Sequence, residues 1–93
     1  MKDLYSAEGT ITEVGDLVEI KRVGKPDLVK KIVSFKSEGG QVIHFEIRNA
    51  KLDEYPELED LVGVNLEIDF FFDGSEKGEV KYNNIVINNI RVI

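Results

Sequence analysis

The sequence predicts an all-β protein with one short helix, and three observations lead to this fold class. Apolar and polar residues alternate along most of the chain, a pattern typical of strands with one buried face. Only one stretch has the three- and four-residue apolar spacing of a helix. Ninety-three residues, 42% of them hydrophobic, supply one small core. We therefore expect a single domain over residues 1–93, in which residues 1–7 are a flexible N-terminal extension.

The first predicted strand is long and irregular, and it runs from about Glu8 to Ile20. Ile11 and Val14 have opposite parity, so one continuous register cannot bury both side chains. Gly15 follows directly, and a glycine within a strand often marks a bulge or a bend. We expect the strand to bend at this point.

The second and third predicted strands form a hairpin. They run from about Leu28 to Lys36 and over residues 41–49, and the segment SEGG, Ser37–Gly40, lies between them. Paired glycines between two alternating runs indicate a tight turn. Lys31 shares the parity of the core-facing residues. We therefore expect it near the open end of the strand or at a bulge, where its ammonium group can reach water.

The one predicted helix is NAKLDEYPELEDLVG, Asn49–Gly63. Pro56 interrupts it, because a proline within a helix removes a backbone donor and clashes with the preceding turn. We therefore expect two short turns in place of one regular helix, with Gly63 as the stop.

The fourth and fifth predicted strands complete the chain. The fourth, VNLEIDFFF at Val64–Phe72, has the clearest alternation, and only Phe71 breaks its polar face. A loop over Asp73–Lys81 leads to the last strand, Lys81–Ile93. Apolar residues of this last strand fall on both parities, and a bulge near Asn88–Asn89 would bring them all to the core.

The predicted order is strand, strand, strand, helix, strand, strand. In a chain of this length, a helix between the third and fourth strands is typical of the OB-fold, a five-stranded, partly open Greek-key barrel. A long first strand with a bend fits this barrel, because it can then pair in both halves. Another small barrel, such as an SH3-like one, is the main competitor, but it usually lacks a helix at this position.

Charge is distributed unevenly along the chain, whose formal net charge is -6. Residues 20–52 hold eight basic residues against three acidic ones, and residues 53–79 hold one basic residue against ten acidic ones. The segment KRVGKPDLVKK, Lys21–Lys31, alone carries five of the twelve basic residues. Because a ligand responds to the local field rather than to the total charge, this asymmetry is more informative than the net charge.

Several classes of function find no support in the sequence. It has no cysteine, which excludes disulfides, thiol nucleophiles and cysteine-based zinc sites. It lacks an HExxH motif, a GxxxxGK[ST] phosphate loop and a recognisable nucleophile–histidine–carboxylate set. The carboxylates of residues 53–60 are interpreted as a solvated surface rather than a metal site. We therefore expect no enzyme activity, no metal and no cofactor.

The chain also shows no sign of a membrane or an export signal. Its first residues, MKDLYSAEGT, lack the apolar run of a signal peptide. No apolar stretch approaches the ~20 residues of a transmembrane helix. We expect a cytoplasmic protein without a membrane partner.

Four segments carry a resemblance to known proteins: GTITEV at Gly9–Val14, GKP at Gly24–Pro26, VIHFEIRNAKLDEYPELEDLVGVNLEIDF at Val42–Phe70, and NNIRVI at Asn88–Ile93. In order and spacing they resemble a family of short bacterial and phage OB-fold proteins, which is related in pattern to single-stranded-DNA-binding proteins. The resemblance implies an OB-fold with single-stranded nucleic acid as its ligand, in DNA replication or repair. It departs at Arg48, where related proteins often carry an aromatic residue suited to base stacking.

OB-folds bind oligonucleotides or oligosaccharides on the face of the second and third strands and on the two loops beside it. The predicted elements place basic residues on this face and in these loops, and cations of this kind neutralise phosphates. The predicted nucleic-acid-binding residues are Lys21, Arg22, Lys25, Lys30, Lys36, His44, Arg48, Lys77, Lys81 and Tyr82.

The predicted function is noncatalytic binding of single-stranded DNA, with RNA as the other nucleic acid such a groove accepts. Flat groups for base stacking are few, and the candidates are Tyr82, Phe71, His44 and the guanidinium groups of Arg22 and Arg48. Phe71 is interpreted as packing under a loop or in a homodimer contact. The alternative function is a protein-interaction adaptor that holds its partner by the acidic helix.

Overall fold

The computed structural model describes residues 2–93, and for Lys77 it describes the backbone only. Residues 2–93 form six strands, one α-helix and one 3₁₀ turn. In chain order they are β1 (Tyr5–Val14), β2 (Val18–Ile20), β3 (Leu28–Ser37), β4 (Val42–Arg48), α1 (Ala50–Glu54), the 3₁₀ turn (Leu58–Leu61), β5 (Asn65–Lys77) and β6 (Val80–Val92).

The strands close into a barrel. Neighbouring strands follow the order β1-β5-β6-β4-β3-β2, and β1 also pairs with β3, which closes the ring. All of these pairings are antiparallel except that of β4 with β6, where Glu46 lies beside Val86 in parallel. Five strands therefore enclose the core, with β2 added at the edge of β3. The predicted OB-fold is confirmed.

The predicted first strand is divided into β1 and β2. In the β1–β3 ladder Ile11 lies opposite Phe35 and Glu13 lies opposite Ser34, so Thr12 is an extra residue in β1. This bulge precedes the predicted bend at Gly15, whose N–H donates to the carbonyl oxygen of Ile32 at 2.8 Å. The bulge and the bend together let one segment serve both halves of the barrel.

The barrel begins earlier in the chain than the sequence suggests. Tyr5, Ser6 and Ala7 pair with β5, so residues 5–7 belong to the barrel rather than to a flexible extension. Tyr5 also contacts two aromatic rings, with centroid separations of 5.9 Å to Phe70 and 5.2 Å to Phe72. Ladder hydrogen bonds and aromatic contacts thus hold residues 5–7 in the barrel. This segment is too short for an apolar–polar alternation to be recognised in the sequence.

The last two strands form one long hairpin. A bulge lies at Asn88, since Asp69 faces Asn89 while Phe70 faces Ile87, and this confirms the predicted irregularity. The bulge lets residues of both parities reach the core, where Ile87 is 1% and Ile90 8% exposed.

The loop predicted over Asp73–Lys81 is wrong. The ladder continues to Lys77 opposite Val80, and a two-residue turn remains, at Gly78 and Glu79. Gly78 has a φ of +64°, a conformation that glycine adopts without steric cost and that a two-residue hairpin turn requires. Polar strand residues with an intervening Gly74 resemble a loop in sequence, although they continue the strand.

The helical segment covers one end of the barrel in two short pieces, as predicted. Leu58 of the 3₁₀ turn is buried at 1% exposure. The hydroxyl of Tyr55 donates to Asn89 Oδ1 at 2.7 Å and accepts the N–H of Ile90 at 2.9 Å, which fixes the segment to β6. Lys31 Nζ lies 3.0 Å from Glu59 of the 3₁₀ turn, so its ammonium group is paired there rather than only hydrated.

The core lies inside the barrel and is wholly apolar among its fully buried side chains. These are Ile11, Val33, Phe35, Phe45, Ile47, Leu58, Leu66, Ile68 and Ile87.

Candidate nucleic-acid interface

A groove of about 520 Å³ lies between the β2–β3 loop and the β5–β6 hairpin, and we call it the Arg48 groove. Its base is formed by β3 and β4, the two strands that carry ligands in OB-folds. Its lining combines cations, carboxylates, one aromatic ring and aliphatic side chains: Ile20, Arg22, Leu28, Lys30, Arg48, Asp73, Ser75, Tyr82 and Asn84.

Four of the ten predicted binding residues line this groove. They come from distant parts of the sequence: Arg22 from the β2–β3 loop, Lys30 from β3, Arg48 from β4 and Tyr82 from β6. Lys30 and Arg48 are direct cross-strand partners in the β3–β4 ladder. The barrel therefore brings cations of three elements to one place.

Arg22 has a structural role in the loop. Its guanidinium group donates to the carbonyl oxygen of Pro26 from Nε at 3.0 Å and from Nη2 at 2.7 Å. The side chain spans the turn and remains exposed. The loop is thus held in shape by a cation that can still donate hydrogen bonds from its remaining N–H groups.

Glu46 lies behind two cations of the groove, and the sequence interpretation missed its role. It lies on the outward-facing parity of β4, yet it is only 5% exposed. Lys30 Nζ lies 2.5 Å from its Oε1, and Arg48 Nη2 lies 3.0 Å from its Oε2. A buried carboxylate requires such partners, and Glu46 in turn orients Lys30 and Arg48.

Arg48 is held from a second side by Asp73 of β5. Its Nη1 donates to Asp73 Oδ2 at 2.6 Å, whereas its buried Nε–H has no partner among the described residues. Burial acts to lower the pKa of the guanidinium group. The hydrogen bonds and charges of Asp73 and Glu46 outweigh it and raise the pKa above its ordinary value, so Arg48 stays a cation.

The groove is only weakly positive as a result. Its cations are Arg22, Lys30 and Arg48, and two carboxylates, Glu46 and Asp73, touch them. Lys30 and Arg48 are therefore both paired with carboxylates. Their side chains are only 21% and 18% exposed, and charges covered to this extent need counter-charges.

Tyr82 supplies the flat apolar surface of the groove. It is 48% exposed and faces Ser75 across the hairpin. Ile20, at the edge of the barrel, is also exposed and lines the same groove. A ring in this position can stack on a base while the cations nearby contact the backbone of a nucleic acid.

Lys36 and His44 are not brought to the groove. Lys36 lies six residues from Lys30, about 20 Å along the strand, beside Gly9 and Thr10 of β1. The Nδ1 atom of His44 is 2.9 Å from Ser34 Oγ, in the middle of the outer β3–β4 face.

The remaining predicted lysines lie around the groove rather than in it. Lys21 and Lys25 are exposed in the β2–β3 loop, near Arg22. Lys81 is exposed on the hairpin, and strand alternation directs it to the face opposite Tyr82. The side chain of Lys77 lies outside the described part of the structure.

Within residues 2–93, no three acidic or histidine side chains are grouped so as to hold a metal ion. No helix in this part of the chain is long and apolar enough to cross a bilayer.

The fold is shared with solved structures at low sequence identity. Two crystal forms of Rim1, a mitochondrial single-stranded DNA binding protein from S. cerevisiae, superpose with TM-scores of 0.61 and 0.54, each at 14% identity. The alignments cover 100% of this chain and 97% and 96% of those chains. The dimeric N-terminal domain of PriB from Thermoanaerobacter tencongensis follows with a TM-score of 0.48 and 12% identity, over 97% of this chain and 94% of that one. No family model and no curated protein matches the sequence.

Proposed function

We propose that this chain is a noncatalytic OB-fold protein that binds single-stranded DNA in the Arg48 groove. The observation that carries the proposal is the convergence of Arg22, Lys30, Arg48 and Tyr82 on one groove. Single-strand binding needs cations for phosphates and a flat ring for bases, and these four residues supply both. The fold shared with Rim1, which is named as a single-stranded DNA binding protein, supports the same ligand.

The mixed charge of the groove indicates how binding proceeds. Glu46 and Asp73 hold Lys30 and Arg48 in place before the ligand arrives. The phosphate backbone then competes with the exposed carboxylate of Asp73 for Arg48. Binding of this kind is electrostatic and independent of sequence, so it weakens as salt rises.

A fluorescence anisotropy titration of labelled oligo-dT at graded salt concentrations tests the proposal. We expect binding whose log K falls linearly with log salt, with a slope of ~0.7 for each phosphate neutralised on a single strand. A matched titration with oligo-U tests the preference for DNA. If oligo-dT does not bind even at low salt, the proposed function is wrong.

Two alanine variants locate the binding surface. We expect Arg22→Ala to lower the affinity. If Arg22 contacts one phosphate, the slope of log K against log salt should also fall by ~0.7. Lys36→Ala removes the same charge at a position six residues from Lys30, about 20 Å along β3. It should have a smaller effect on affinity. Equal effects would place the ligand over the whole β3–β4 face rather than in the groove.

A second candidate function, a protein-interaction adaptor, is favoured by a hollow of about 250 Å³ beside the helical segment. Its lining joins an apolar centre to an acidic rim: Tyr55, Pro56, Leu61, Glu54, Glu57 and Asp60. A basic protein segment with one apolar side chain has complementary chemistry. This function predicts that the double variant Arg22→Ala/Tyr82→Ala, which leaves the Glu46 ion pairs in place, keeps the cellular role, whereas the DNA-binding function predicts its loss.

A further inference from the structure

A second hollow, of about 370 Å³, lies on the other side of the Arg48–Asp73 pair. Besides these two residues it is lined by Phe71, by the aliphatic Val86 and Ile87 and by polar or basic side chains, and we call it the Phe71 hollow. Its volume lies within the range of roughly 300–1,000 Å³ that is usual for small-molecule sites. Its polar and basic lining residues are Lys2, Lys51, Asn49 and Asn88.

The hollow continues the Arg48 groove. Both are lined by Arg48 and Asp73, so no other element separates them. Phe71, Asp73 and Ser75 alternate along β5 on one face, and Ser75 faces Tyr82. Four strand residues span about 13 Å, so Phe71 and Tyr82 are two flat rings at opposite ends of one continuous surface.

Cations outnumber carboxylates around the hollow. Lys2, Arg48 and Lys51 line it, against Asp73 as the carboxylate. Lys51 is also paired with the exposed Glu54 at 3.0 Å, an ion pair that water screens strongly. The amide groups of Asn49 and Asn88 add donors and acceptors. Phosphate and the polar edges of a base both fit such a lining.

Phe71 lies outside the barrel core, opposite Val86 in the β5–β6 ladder, and Val86 is 4% exposed. Phe71 breaks the polar face of β5, and the core-facing aromatic residue beside it is Phe70, which is 9% exposed. Phe71 is half-buried, and the ammonium group of Lys2 lies 4.0 Å from the centre of its ring. The Lys2 ammonium group thus occupies one face of the ring, and a base can stack there only when Lys2 moves away.

Resting on the proposed function, we propose that the Phe71 hollow is a second nucleotide subsite on the path of the single strand. A base stacks on Phe71, and the Lys2 ammonium group leaves the ring for the adjacent phosphate. The Lys2 ammonium group thus contacts the Phe71 ring in the free protein and a phosphate in the complex. The bound strand thus runs from Tyr82 across the Arg48–Asp73 pair to Phe71.

The test is the affinity of the full chain for oligo-dT of increasing length, with Phe71→Leu as the variant. Leucine keeps an apolar side chain but removes the flat ring. We expect short oligonucleotides, which fill only the Arg48 groove, to bind both proteins equally. For longer ones we expect a loss of roughly 5- to 150-fold, the effect of one base stack. Phe71→Tyr, which keeps the ring, should bind as the original protein does.

Phe72→Leu is the matched control, because Phe72 is the next residue, is 50% exposed and lies on the opposite face of β5. It should leave the length dependence unchanged. If Phe71→Leu binds long oligonucleotides as tightly as the original protein, or lowers the molecular mass in light scattering, the subsite is wrong and Phe71 is a packing or dimer residue. If the original protein binds no oligonucleotide at low salt, the proposed function itself has failed.

Discussion

Arg48 and Asp73 form an ion pair, 2.6 Å between Nη1 and Oδ2, at the point where the Arg48 groove meets the Phe71 hollow. Arg48 is largely buried, with 18% of its side chain exposed, whereas Asp73 is 48% exposed. Glu46 holds the same guanidinium group from below. An exposed carboxylate on a fixed cation occupies the position a phosphate would take, so Asp73 is expected to compete with the ligand.

Asp73→Asn should therefore strengthen binding of oligo-dT. Removing the carboxylate leaves Arg48 anchored by Glu46 and free to donate Nη1 to a phosphate. Exposed ion pairs contribute up to about 1 kcal/mol, so we expect a gain of up to roughly fivefold at low salt. The salt slope should also become steeper by ~0.7, one further phosphate. Anisotropy titrations of both proteins at matched salt measure the two quantities.

The control for this prediction is Glu76→Gln, which makes the same change in net charge three residues further along β5. Strand alternation places Glu76 on the face opposite Asp73, and it is exposed. A general gain in positive charge would raise the affinity of both variants equally, and that result would contradict a specific competition at Arg48.

Glu46→Gln should lower the stability of the fold. The carboxylate is buried between Lys30 and Arg48, and without it two adjacent cations lose their shared partner. Because both cations keep about a fifth of their side chains exposed, we expect a loss of about 1–3 kcal/mol in the free energy of unfolding. Urea unfolding followed by circular dichroism measures it. The exposed Glu13→Gln on β1 should change it by under about 0.5 kcal/mol.

The barrel was predictable because its signals are local. Period-two alternation located the strands, Pro56 divided the helical segment, and the parity conflict around Asn88 located a bulge that the ladder confirms. The extent of the β5–β6 hairpin was not predictable in this way. Its polar residues after Phe72 alternate too weakly to distinguish a projecting strand pair from a loop.

The candidate site was predictable only in part, because charge pairing depends on tertiary contacts. The strand order placed Lys30 and Arg48 side by side, as the β3–β4 register shows. Nothing in the sequence indicated that Asp73, twenty-five positions after Arg48, would reach its guanidinium group. Glu46 carried one usable signal: it is a single acidic residue on a strand face otherwise expected to be neutral or basic.

The Lys31–Glu59 ion pair should make stability sensitive to acid. The hydrogen bond from Lys31 lowers the pKa of Glu59 below its ordinary value of 4.5. A carboxyl group with a lowered folded-state pKa stabilises the fold above its unfolded pKa and loses this contribution as the pH falls through the folded value. We therefore expect Glu59→Gln to lower Tm near neutral pH and to flatten the decline of Tm below about pH 4.5.

Thermal unfolding across a pH series measures this effect, with Glu57→Gln as the control. Glu57 is exposed two residues away and has no ion pair among the described residues. If both variants show the same acid decline as the original protein, the Lys31–Glu59 pair contributes nothing to stability.

Gly9 is required by the close approach of β1 to β3. A Cβ atom at this position would lie 2.1 Å from the carbonyl oxygen of Lys36 and 2.8 Å from the Cα of Ser37. Both contacts are with backbone atoms, so no side chain can move aside to relieve them. Gly9→Ala should therefore force the two strands apart and lower the free energy of unfolding by about 3 kcal/mol, the upper end of overpacking penalties.

Gly39→Ala is the matched control: its nearest contact would be 3.8 Å, to Ser37 Oγ, and we expect a change of under about 0.5 kcal/mol. Equal urea midpoints for the two variants would show that β1 and β3 can separate at Gly9 without loss of stability.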